Sequence, residues 1–437
     1  MTNIAVVVLD TLRYDAFNTH FGWLEGKRFT SAYSTSHWTI PAHASLYTGY
    51  YPSEVEVHGK DMSLDWKSPT LPELLNAEGY STKLLTANPQ IHMWEGWKKG
   101  YSETVGPSNL DPSDDELADW NEFYSRQYQS TIKKYLQAVF FCIQSDAPTV
   151  QSMIKGVKNT REPANSGIDS IIKRIEDIDF GEREFLFLNI MDAHTPYDPP
   201  EEYTSVETPV DVVTGDAFAG TVENPEKIRQ VYDDSARYLS DRYKKLHEQL
   251  SSDFDYIITL SDHGEMLGEH GMWNHSYGLY PELVHIPLVI SGENVNEGKD
   301  QSVVSILDVH KTVCNLAQID VESRGQDLLD DPASKKRLFE YHGFLHWHKD
   351  QFERKGVDER IYIQRDSPLD GFKSKEFGFV YETHDDGLVT DNSVSPKEAN
   401  VELRNLIAET DRKPIESNSK SEISEQVQEQ LENLGYA

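Results

Sequence analysis

The sequence feature that most constrains the fold is a short run of β-branched residues near the start of the chain, which ends in an acid. Residues 3–9 (NIAVVVL) are almost all apolar, and Asp10 follows them directly. An apolar run of this length is typical of a strand buried on both faces in a parallel sheet. Ligands of open α/β sheets bind beyond the carboxyl ends of such strands. The run therefore predicts an α/β fold and places Asp10 at a candidate site.

Strand-like and helix-like segments alternate along much of the remaining chain. Further strands are predicted at 81–87, 185–192, 255–262 and 285–291, and helices at 70–80, 226–250 and 304–317. Alternation of this kind indicates a mostly parallel central sheet covered by helices on both faces, which is a three-layer sandwich.

The composition divides the chain into a large and a small part. The 437 residues, 38% of them hydrophobic, can bury a large core, and we predict a main domain over residues 1–330. Within it, the aromatic, acidic and amide-rich stretch from about 93 to 165 is predicted to be a helical insertion, either a lid over the site or a peripheral decoration. The more polar residues 331–437 predict a small C-terminal α+β subdomain. Its predicted elements are strands at 360–365 and 377–383 and a helix near 421–434.

The charge balance limits the partners. There are 41 basic and 74 acidic side chains, a formal net charge of −33, which argues against nucleic acid or an anionic membrane surface as partner. This composition is typical of salt-adapted proteins, so we expect a halophilic, haloarchaeal protein. The sequence has no apolar run long enough to span a bilayer, and residues 1–10 lack the basic flank and cleavage site of a secretion signal. A cytoplasmic location is therefore predicted.

Polar residues that could carry chemistry lie at or near the ends of the predicted strands. Asp10 and Asp262 each follow an apolar strand, and His263 adds a nitrogen donor. Two carboxylates and an imidazole can hold a hard or borderline divalent cation. Further polar segments are TIPAHASLYTG (39–49), MDAHTPY (191–197) and SDHGEMLGEHGMWNH (261–275).

In their order and spacing, these segments resemble the sulfatase family of the alkaline phosphatase superfamily. The family's strand that ends in Asp is matched by LDTLRYD (9–15). Its nucleophile signature is matched in frame by Thr39, Pro41, His43, Leu46, Thr48 and Gly49. Its H-x-P-Y and S-D-H-G elements are matched by His194, Pro196 and Tyr197 and by Ser261, Asp262, His263 and Gly264. The resemblance implies an alkaline-phosphatase-like fold and a metal-dependent hydrolase of ester bonds.

Three departures from the sulfatase pattern bear on the chemistry. Thr39 stands where sulfatases carry the Cys or Ser that is converted to formylglycine, and its methyl group prevents that conversion to an aldehyde. A plain Thr nucleophile is similar to that of the phosphodiesterase and phosphoglycerol-transferase branches. The family's Arg and Lys are replaced by His43 and His275, which weakens sulfate binding by analogy and allows proton exchange near neutral pH. We therefore expect phosphate mono- or diesters as substrates.

The resemblance also implies a role for each matched residue. The metal ligands would be Asp10, Asp262, His263 and Oγ of Thr39. The catalytic residues would be Thr39 as nucleophile, with His43 and His194 holding developing charge and His275 protonating or binding the leaving group. His194 and His275 would also bind the substrate, with His194 on the ester oxygens.

The metal and its number are predicted from what surrounds Asp10. Thr11 stands where the family has a second carboxylate, so manganese or zinc is favoured over calcium or magnesium. One ion is favoured over two, because Asp192 and His194 are closer in sequence than the two-zinc branch requires. Arg13 is expected to pair with an acid instead of touching the substrate.

Three alternatives remain open at this point. The chain could hydrolyse the sulfate esters of glycans without formylglycine, or transfer phosphoglycerol- or phosphoethanolamine-type groups. It could also be a non-catalytic binding relative, although such a protein has no physical reason to keep Asp10, Thr39, Asp262 and His263 together. The substrate would be a small-molecule, glycan-linked or lipid-linked ester. The sequence determines neither its organic part nor the oligomeric state.

Overall fold

The computed structural model describes residues 2–107, 167–345, 347–390 and 394–413, together with residues 110 and 149. The helices predicted within the insertion beyond residue 107, and the helix near 421–434, lie outside these residues.

Thirteen α-helices lie wholly within the described residues, and we number them in chain order. They are α1 (Tyr14–His20), α2 (Thr39–Thr48), α3 (Pro52–Val55), α4 (Leu71–Ala77), α5 (Pro89–Met93), α6 (Ile168–Glu176), α7 (Thr214–Ala219), α8 (Pro225–Leu250), α9 (Pro281–Val284), α10 (Ile306–Leu316), α11 (His348–Lys355), α12 (Glu359–Arg365) and α13 (Pro396–Ala408). No helix in this described part of the chain is long and apolar enough to cross a lipid bilayer.

The strands of the described residues fall into a large sheet, a four-stranded sheet and a short ribbon. They are β1 (Ile4–Leu9), β2 (Lys27–Tyr33), β3 (Ser81–Thr86), β4 (Glu103–Val105), β5 (Glu184–Ile190), β6 (Tyr256–Leu260), β7 (Met266–Leu267), β8 (Trp273–Asn274), β9 (His285–Ser291), β10 (Gly298–Asp300), β11 (Val304–Ser305), β12 (Arg337–Tyr341), β13 (Leu369–Ser374), β14 (Gly378–Thr383) and β15 (Gly387–Thr390).

The large sheet has the order β10-β2-β9-β6-β1-β5-β3-β4, with β11 also paired to β2. The central strand β1 runs parallel to both of its neighbours, β5 and β6. Strand β9 is antiparallel to β6 and β2, so the sheet is mixed but mostly parallel. The predicted α/β fold is confirmed, and the carboxyl ends of β1, β5 and β6 meet at one edge.

Helices cover both faces of the large sheet. The side chains of β1 alternate between two buried clusters: Ile4, Val6 and Val8 pack with α2, α4 and α10, whereas Ala5, Val7 and Leu9 pack with α1, α6 and α8. Burying a Val, Leu or Ile side chain fully stabilises a fold by roughly 1.5–3 kcal/mol. The apolar run that opens the chain thus becomes the middle of a three-layer sandwich.

The four-stranded sheet lies in the C-terminal part of the chain and is antiparallel throughout, in the order β12-β13-β14-β15. Helix α13 packs against it through Ala399, Leu403 and Leu406. Strand β12 also joins the loop that precedes α2, because the backbone N–H of Glu340 donates to the carbonyl of Thr35 at 2.9 Å. The C-terminal sheet is therefore held close to the start of α2. The boundary at residue 330 stays a prediction.

One predicted strand is wrong. Residues 360–365 (RIYIQR) alternate in the manner of a strand but form most of helix α12. Asp358 caps this helix by accepting a hydrogen bond from the backbone N–H of Arg360 at 2.9 Å, and Glu359 lies in its first turn. A side-chain cap and an acid at the amino end favour a helix. The strand predicted at 377–383 is confirmed as β14.

Candidate active site

Strands β1 and β6 bring three metal-ligating side chains together at their carboxyl ends. Asp10 directly follows β1, while Asp262 and His263 follow the neighbouring parallel strand β6. All three are fully buried, and each offers one ligand atom within 4.8 Å of the other two. His263 Nε2 lies 3.7 Å from Asp10 Oδ1 and 3.6 Å from Asp262 Oδ2. The three predicted ligands therefore form one compact cluster.

The bonding of the two carboxylates fits a bound cation. Asp10 Oδ2 accepts hydrogen bonds from the amides of Asn88 at 2.9 Å and Asn189 at 3.1 Å, and Asp262 Oδ1 accepts one from the backbone N–H of His263 at 3.0 Å. The other two oxygens, Asp10 Oδ1 and Asp262 Oδ2, are buried and accept no hydrogen bond from the described residues. Burial and the Asp10 charge raise the pKa of Asp262 well above its usual value. Because buried, unpaired carboxylate oxygens are costly, a divalent cation would stabilise this arrangement.

The ring of His263 presents the nitrogen that a metal needs. Its Nδ1–H donates to the carbonyl oxygen of Gly264 at 2.9 Å, so the lone pair belongs to Nε2, on the side of the carboxylates. Burial and the nearby His275 lower the pKa of His263 well below its usual value. A neutral imidazole with its other nitrogen hydrogen-bonded is the usual form of a histidine ligand.

Thr39 lies beside this cluster of predicted metal ligands and is the first residue of α2. Its Oγ1 is 3.3 Å from His263 Nε2 and 3.5 Å from the amide nitrogen of Asn88. The amino end of a helix carries a partial positive charge and backbone N–H groups without helical partners, which together favour an anion. The nucleophile predicted from the sequence therefore lies beside the three predicted metal ligands, at a helix end that favours an anion.

His43 is one turn further along α2 and is fully buried. Its Nδ1–H donates to the backbone carbonyl of Thr39 at 3.0 Å and lies 3.5 Å from Asp262 Oδ2. Burial lowers the pKa of His43 to about 4. The imidazole therefore contacts a predicted metal ligand and the backbone of the predicted nucleophile, and it is neutral at physiological pH.

His194 and His275 form the other side of the site. Their ring centroids are 5.0 Å apart, and the ring of His275 is 4.7 Å from that of His263. Burial lowers the pKa of His194 to about 4. Burial also disfavours the charged form of His275, but the carboxylate of Glu265, 3.2 Å from Nδ1, outweighs it and raises the pKa of His275. One neutral and one readily protonated imidazole thus face each other.

A pocket opens beside His275. The segment 274–276, in the stretch that follows the S-D-H-G element, forms part of its wall. The C-terminal part of the chain also contributes, through residues next to the four-stranded sheet. Among the lining residues are His37, Trp38, Thr195, Asn274, Leu345 and His348. None of the described lining residues is an acid, a lysine or an arginine.

Three polar residues of the site were missed by sequence reasoning. Asn88 follows the end of β3, Asn189 interrupts the apolar run of β5, and Glu265 stands two residues after His263. An amide inside a buried strand is a usable signal, because a buried polar group needs a partner. The partner itself, Asp10, is 179 residues from Asn189 along the chain, so only the fold identifies it.

Residues next to the predicted ligands have other contacts. The hydroxyl of Thr11 donates a hydrogen bond to the carbonyl of Ala193 at 2.9 Å. It is therefore engaged outside the cluster of Asp10, Asp262 and His263. Asp192 accepts a hydrogen bond from the backbone N–H of Ile168 at 2.9 Å and does not belong to the cluster.

Arg13 pairs with two acids, as expected from the sequence. Its guanidinium lies 2.7 Å from Asp15 and 2.8 Å from Glu269. These contacts hold the loop after β1 against the segment that follows the S-D-H-G element.

Comparisons with known proteins identify the family and the fold of the chain. The choline-sulfatase of Rhizobium meliloti (strain 1021) is 23% identical over 332 residues, which cover 68% of this chain but only 61% of that relative. A phosphonate monoester hydrolase from Silicibacter pomeroyi has a similar structure, with a TM-score of 0.63, 16% identity and coverage of 93% of this chain and 94% of that one.

A second solved structure, determined in complex with its substrate D-glucosamine-2-N,6-O-disulfate, gives a TM-score of 0.60 at 15% identity. It covers 93% of this chain and 97% of the other. At this level of identity, the two structures establish the fold alone. The family model described as Sulfatase matches residues 3–319, which is more than half of the sequence and includes Asp10, Thr39, Asp262 and His263. The chain therefore belongs to the sulfatase family.

Proposed function

We propose that this protein is a metal-dependent hydrolase that cleaves phosphate mono- or diesters with Thr39 as its nucleophile. The observation that carries the proposal is the position of Thr39 Oγ1, which lies 3.3 Å from His263 Nε2, in a cluster with two buried carboxylate oxygens that accept no hydrogen bond from the described residues. A hydroxyl is a weak nucleophile at its ordinary pKa and needs activation by a neighbouring group. A cation held by Asp10, Asp262 and His263 would lie directly beside the hydroxyl and would supply that activation.

Each residue of the site has a defined part in this mechanism. Asp10, Asp262 and His263, with Thr39 Oγ, would hold one divalent cation, which when bound favours the alkoxide of Thr39 and offsets charge on the ester oxygens. Thr39 Oγ forms a bond to phosphorus, and the amide of Asn88 donates toward that oxygen. The first-turn N–H groups of α2 stabilise the developing negative charge.

The histidines complete the reaction. His43 holds the backbone of Thr39, and His194 would contact the ester oxygens. His275 gives a proton to the departing alcohol. Water then cleaves the phospho-threonine, with His275 recovering its proton by the reverse route.

The preference for phosphorus rests on Thr39, His43 and His275. Thr39 cannot supply the aldehyde of formylglycine, and imidazoles replace two fixed positive charges of the sulfatase pattern. A histidine nitrogen among the ligands favours manganese or zinc over calcium or magnesium. We also infer a cytoplasmic, salt-adapted enzyme whose substrate is a small-molecule, glycan-linked or lipid-linked ester.

The test is hydrolysis of three chromogenic esters, a phosphate monoester, a phosphate diester and a sulfate, by metal-stripped protein in high salt. Manganese, zinc, magnesium and calcium are added back separately. We expect turnover of a phosphorus ester that needs added metal and is lost in Thr39→Ala. Turnover that persists in Thr39→Ala would contradict the assignment of the nucleophile.

A sulfate ester is the second candidate substrate. It is favoured by the choline-sulfatase relative and by the structural neighbour solved with a disulfated glucosamine. Turnover of the sulfate alone in the same assay would replace the phosphate assignment and would mean that Thr39 acts on sulfur without an aldehyde.

A further inference from the structure

We propose that Glu265, held by Tyr197, is a positioning residue that orients His275 toward the leaving group. This inference rests on the proposed function, because it assigns a task within the same site. Glu265 is not one of the three clustered metal-ligating residues. Its carboxylate instead connects the S-D-H-G segment to His275 and to the H-x-P-Y segment.

Glu265 is fully buried and both of its oxygens are occupied. Oε1 and Oε2 lie 3.2 and 3.4 Å from Nδ1 of His275, and Oε2 also accepts a hydrogen bond from the hydroxyl of Tyr197 at 3.0 Å. The backbone carbonyl of Glu265 accepts a further bond from the guanidinium of Arg13 at 2.9 Å. A buried carboxylate fixed at its backbone and at its side chain has little freedom to turn away from His275.

The carboxylate determines which nitrogen of His275 is available. A carboxylate accepts hydrogen bonds, so Nδ1 carries its hydrogen toward Glu265, and Nε2 becomes the nitrogen that can exchange a proton. Nε2 lies on the opposite side of the ring and makes no hydrogen bond to the described residues, and His275 lines the pocket. The rings of His194 and His263 also contact it, with centroids 5.0 and 4.7 Å away. His275 is thereby restricted in both tautomer and orientation.

The proton balance of the step follows from this arrangement. Thr39 Oγ enters the step as an alkoxide whose proton has already passed to solvent, and it forms its bond to phosphorus while the bond between phosphorus and the leaving oxygen breaks. The leaving oxygen keeps that electron pair and takes the proton from Nε2 of His275. The Nδ1–H stays on its nitrogen, hydrogen-bonded to Glu265. An alcohol that leaves easily as an anion needs this proton less than a poor leaving group does.

The experiment compares two phosphate monoesters, p-nitrophenyl phosphate and phenyl phosphate, in Glu265→Gln and Tyr197→Phe. We expect kcat on phenyl phosphate to fall about 100-fold in Glu265→Gln, and on p-nitrophenyl phosphate by about tenfold or less, with KM little changed. Tyr197→Phe should show the same bias to a smaller extent. The ratio of the two rates within one variant does not depend on the fraction of folded protein. Equal losses on both esters would overturn the proposal.

Two control variants carry similar changes away from His275. Tyr243→Phe removes a buried hydroxyl that bonds Thr259, and Glu184→Gln removes a buried carboxylate at the amino end of β5 that pairs with Lys83. Both should leave the ratio of the two rates unchanged. A shift of that ratio in a control comparable to the shift in Glu265→Gln would also overturn the proposal.

A spectroscopic measurement separates this proposal from the proposed function. In protein labelled with ¹⁵N-histidine, the Nδ1–H proton of His275, assigned by its loss in His275→Ala, should resonate far downfield and move upfield in Glu265→Gln. This signal needs no turnover, so its presence supports the positioning role even if the phosphate esters are not cleaved. Its absence from the wild type contradicts the positioning role whether or not the esters are cleaved. If only sulfate esters are cleaved, the same leaving-group comparison is made with p-nitrophenyl and phenyl sulfate.

Discussion

From inside strand β5, Asn189 contacts Asp10, a proposed metal ligand. Its amide donates to Asp10 Oδ2 at 3.1 Å, which leaves Oδ1 of the same carboxylate for the cation. Outer groups that orient ligands typically change metal affinity by about 10- to 100-fold. We expect Asn189→Ala to weaken metal binding within this range, measured by competition with a chelator of known affinity. Asn315→Ala, at an exposed amide that pairs with Asp327, is the control. Equal affinities in both variants would contradict the role of Asn189.

The lowered pKa of Glu340, at the junction of β12 with the rest of the fold, predicts that the stability of the protein depends on pH. Burial opposes its charge, but hydrogen bonds from His342 and Ser53 and the charge of Arg412 outweigh burial and lower its pKa from 4.5 to about 2. A lowered pKa means that the ionised form is stabilised in the folded state. The stabilisation is complete above about pH 4.5, is lost as the pH falls toward 2, and amounts to about 3 kcal/mol.

The measurement is urea-induced unfolding of the wild type and Glu340→Gln at several pH values. The difference in unfolding free energy should be largest and constant from pH 7 to about 5 and should shrink below the ordinary pKa of 4.5. A difference that grows as the pH falls would show that the sign is wrong.

At the scale of elements, the end of helix α2 matters because its beginning carries Thr39. Gly49 terminates α2 with φ of +75°, and a Cβ there would lie 2.6 Å from Nδ1 of His310 and 2.7 Å from Cβ of Ser323. Gly220 terminates α7 with φ of +68° and has no atom within 4 Å of the same position. Gly220→Ala therefore reports the backbone strain alone, which is about 1–2 kcal/mol.

We expect Gly49→Ala to cost more than Gly220→Ala, by a further 1–3 kcal/mol or so for overpacking. Only Gly49→Ala should also lower turnover, because α2 must shift to relieve the contact with His310 on α10. Chemical denaturation and ester hydrolysis would be measured on both variants. Equal destabilisation of the two variants would show that the residues around Gly49 rearrange without a further loss of unfolding free energy.

At the scale of the whole molecule, the net charge of −33 predicts a dependence on salt. Like charges repel in the compact state, and the Debye length falls from about 10 Å at 0.1 M salt to about 3 Å at 1 M. We expect the Tm to rise as potassium chloride is added over this range. A Tm that falls on adding potassium chloride would contradict the salt-adapted interpretation.

Much of the fold followed from local patterns. The apolar run at residues 3–9 forms the central strand, and residues 226–250, where apolar side chains recur with a helical period, form most of helix α8. Both patterns could be recognised because they depend only on side chains that are close together in the sequence. Residues 27–33, with a less regular pattern, were not predicted as strand β2. The antiparallel direction of β9 was also not predicted. Both depend on which strands lie side by side.

The sequence by itself determined the strand that carries Asp10, the metal-ligating types at Asp262 and His263, and the hydroxyl of Thr39. These residues belong to short segments that can be recognised from their own sequence and from their order along the chain. Only the tertiary structure decided that Asn88 and Asn189 hold Asp10 and that Glu265 holds His275. The physical reason is that a buried amide or carboxylate must find a partner, and the partners of Asp10, which are 78 and 179 residues away along the chain, are chosen by the order of strands in the sheet.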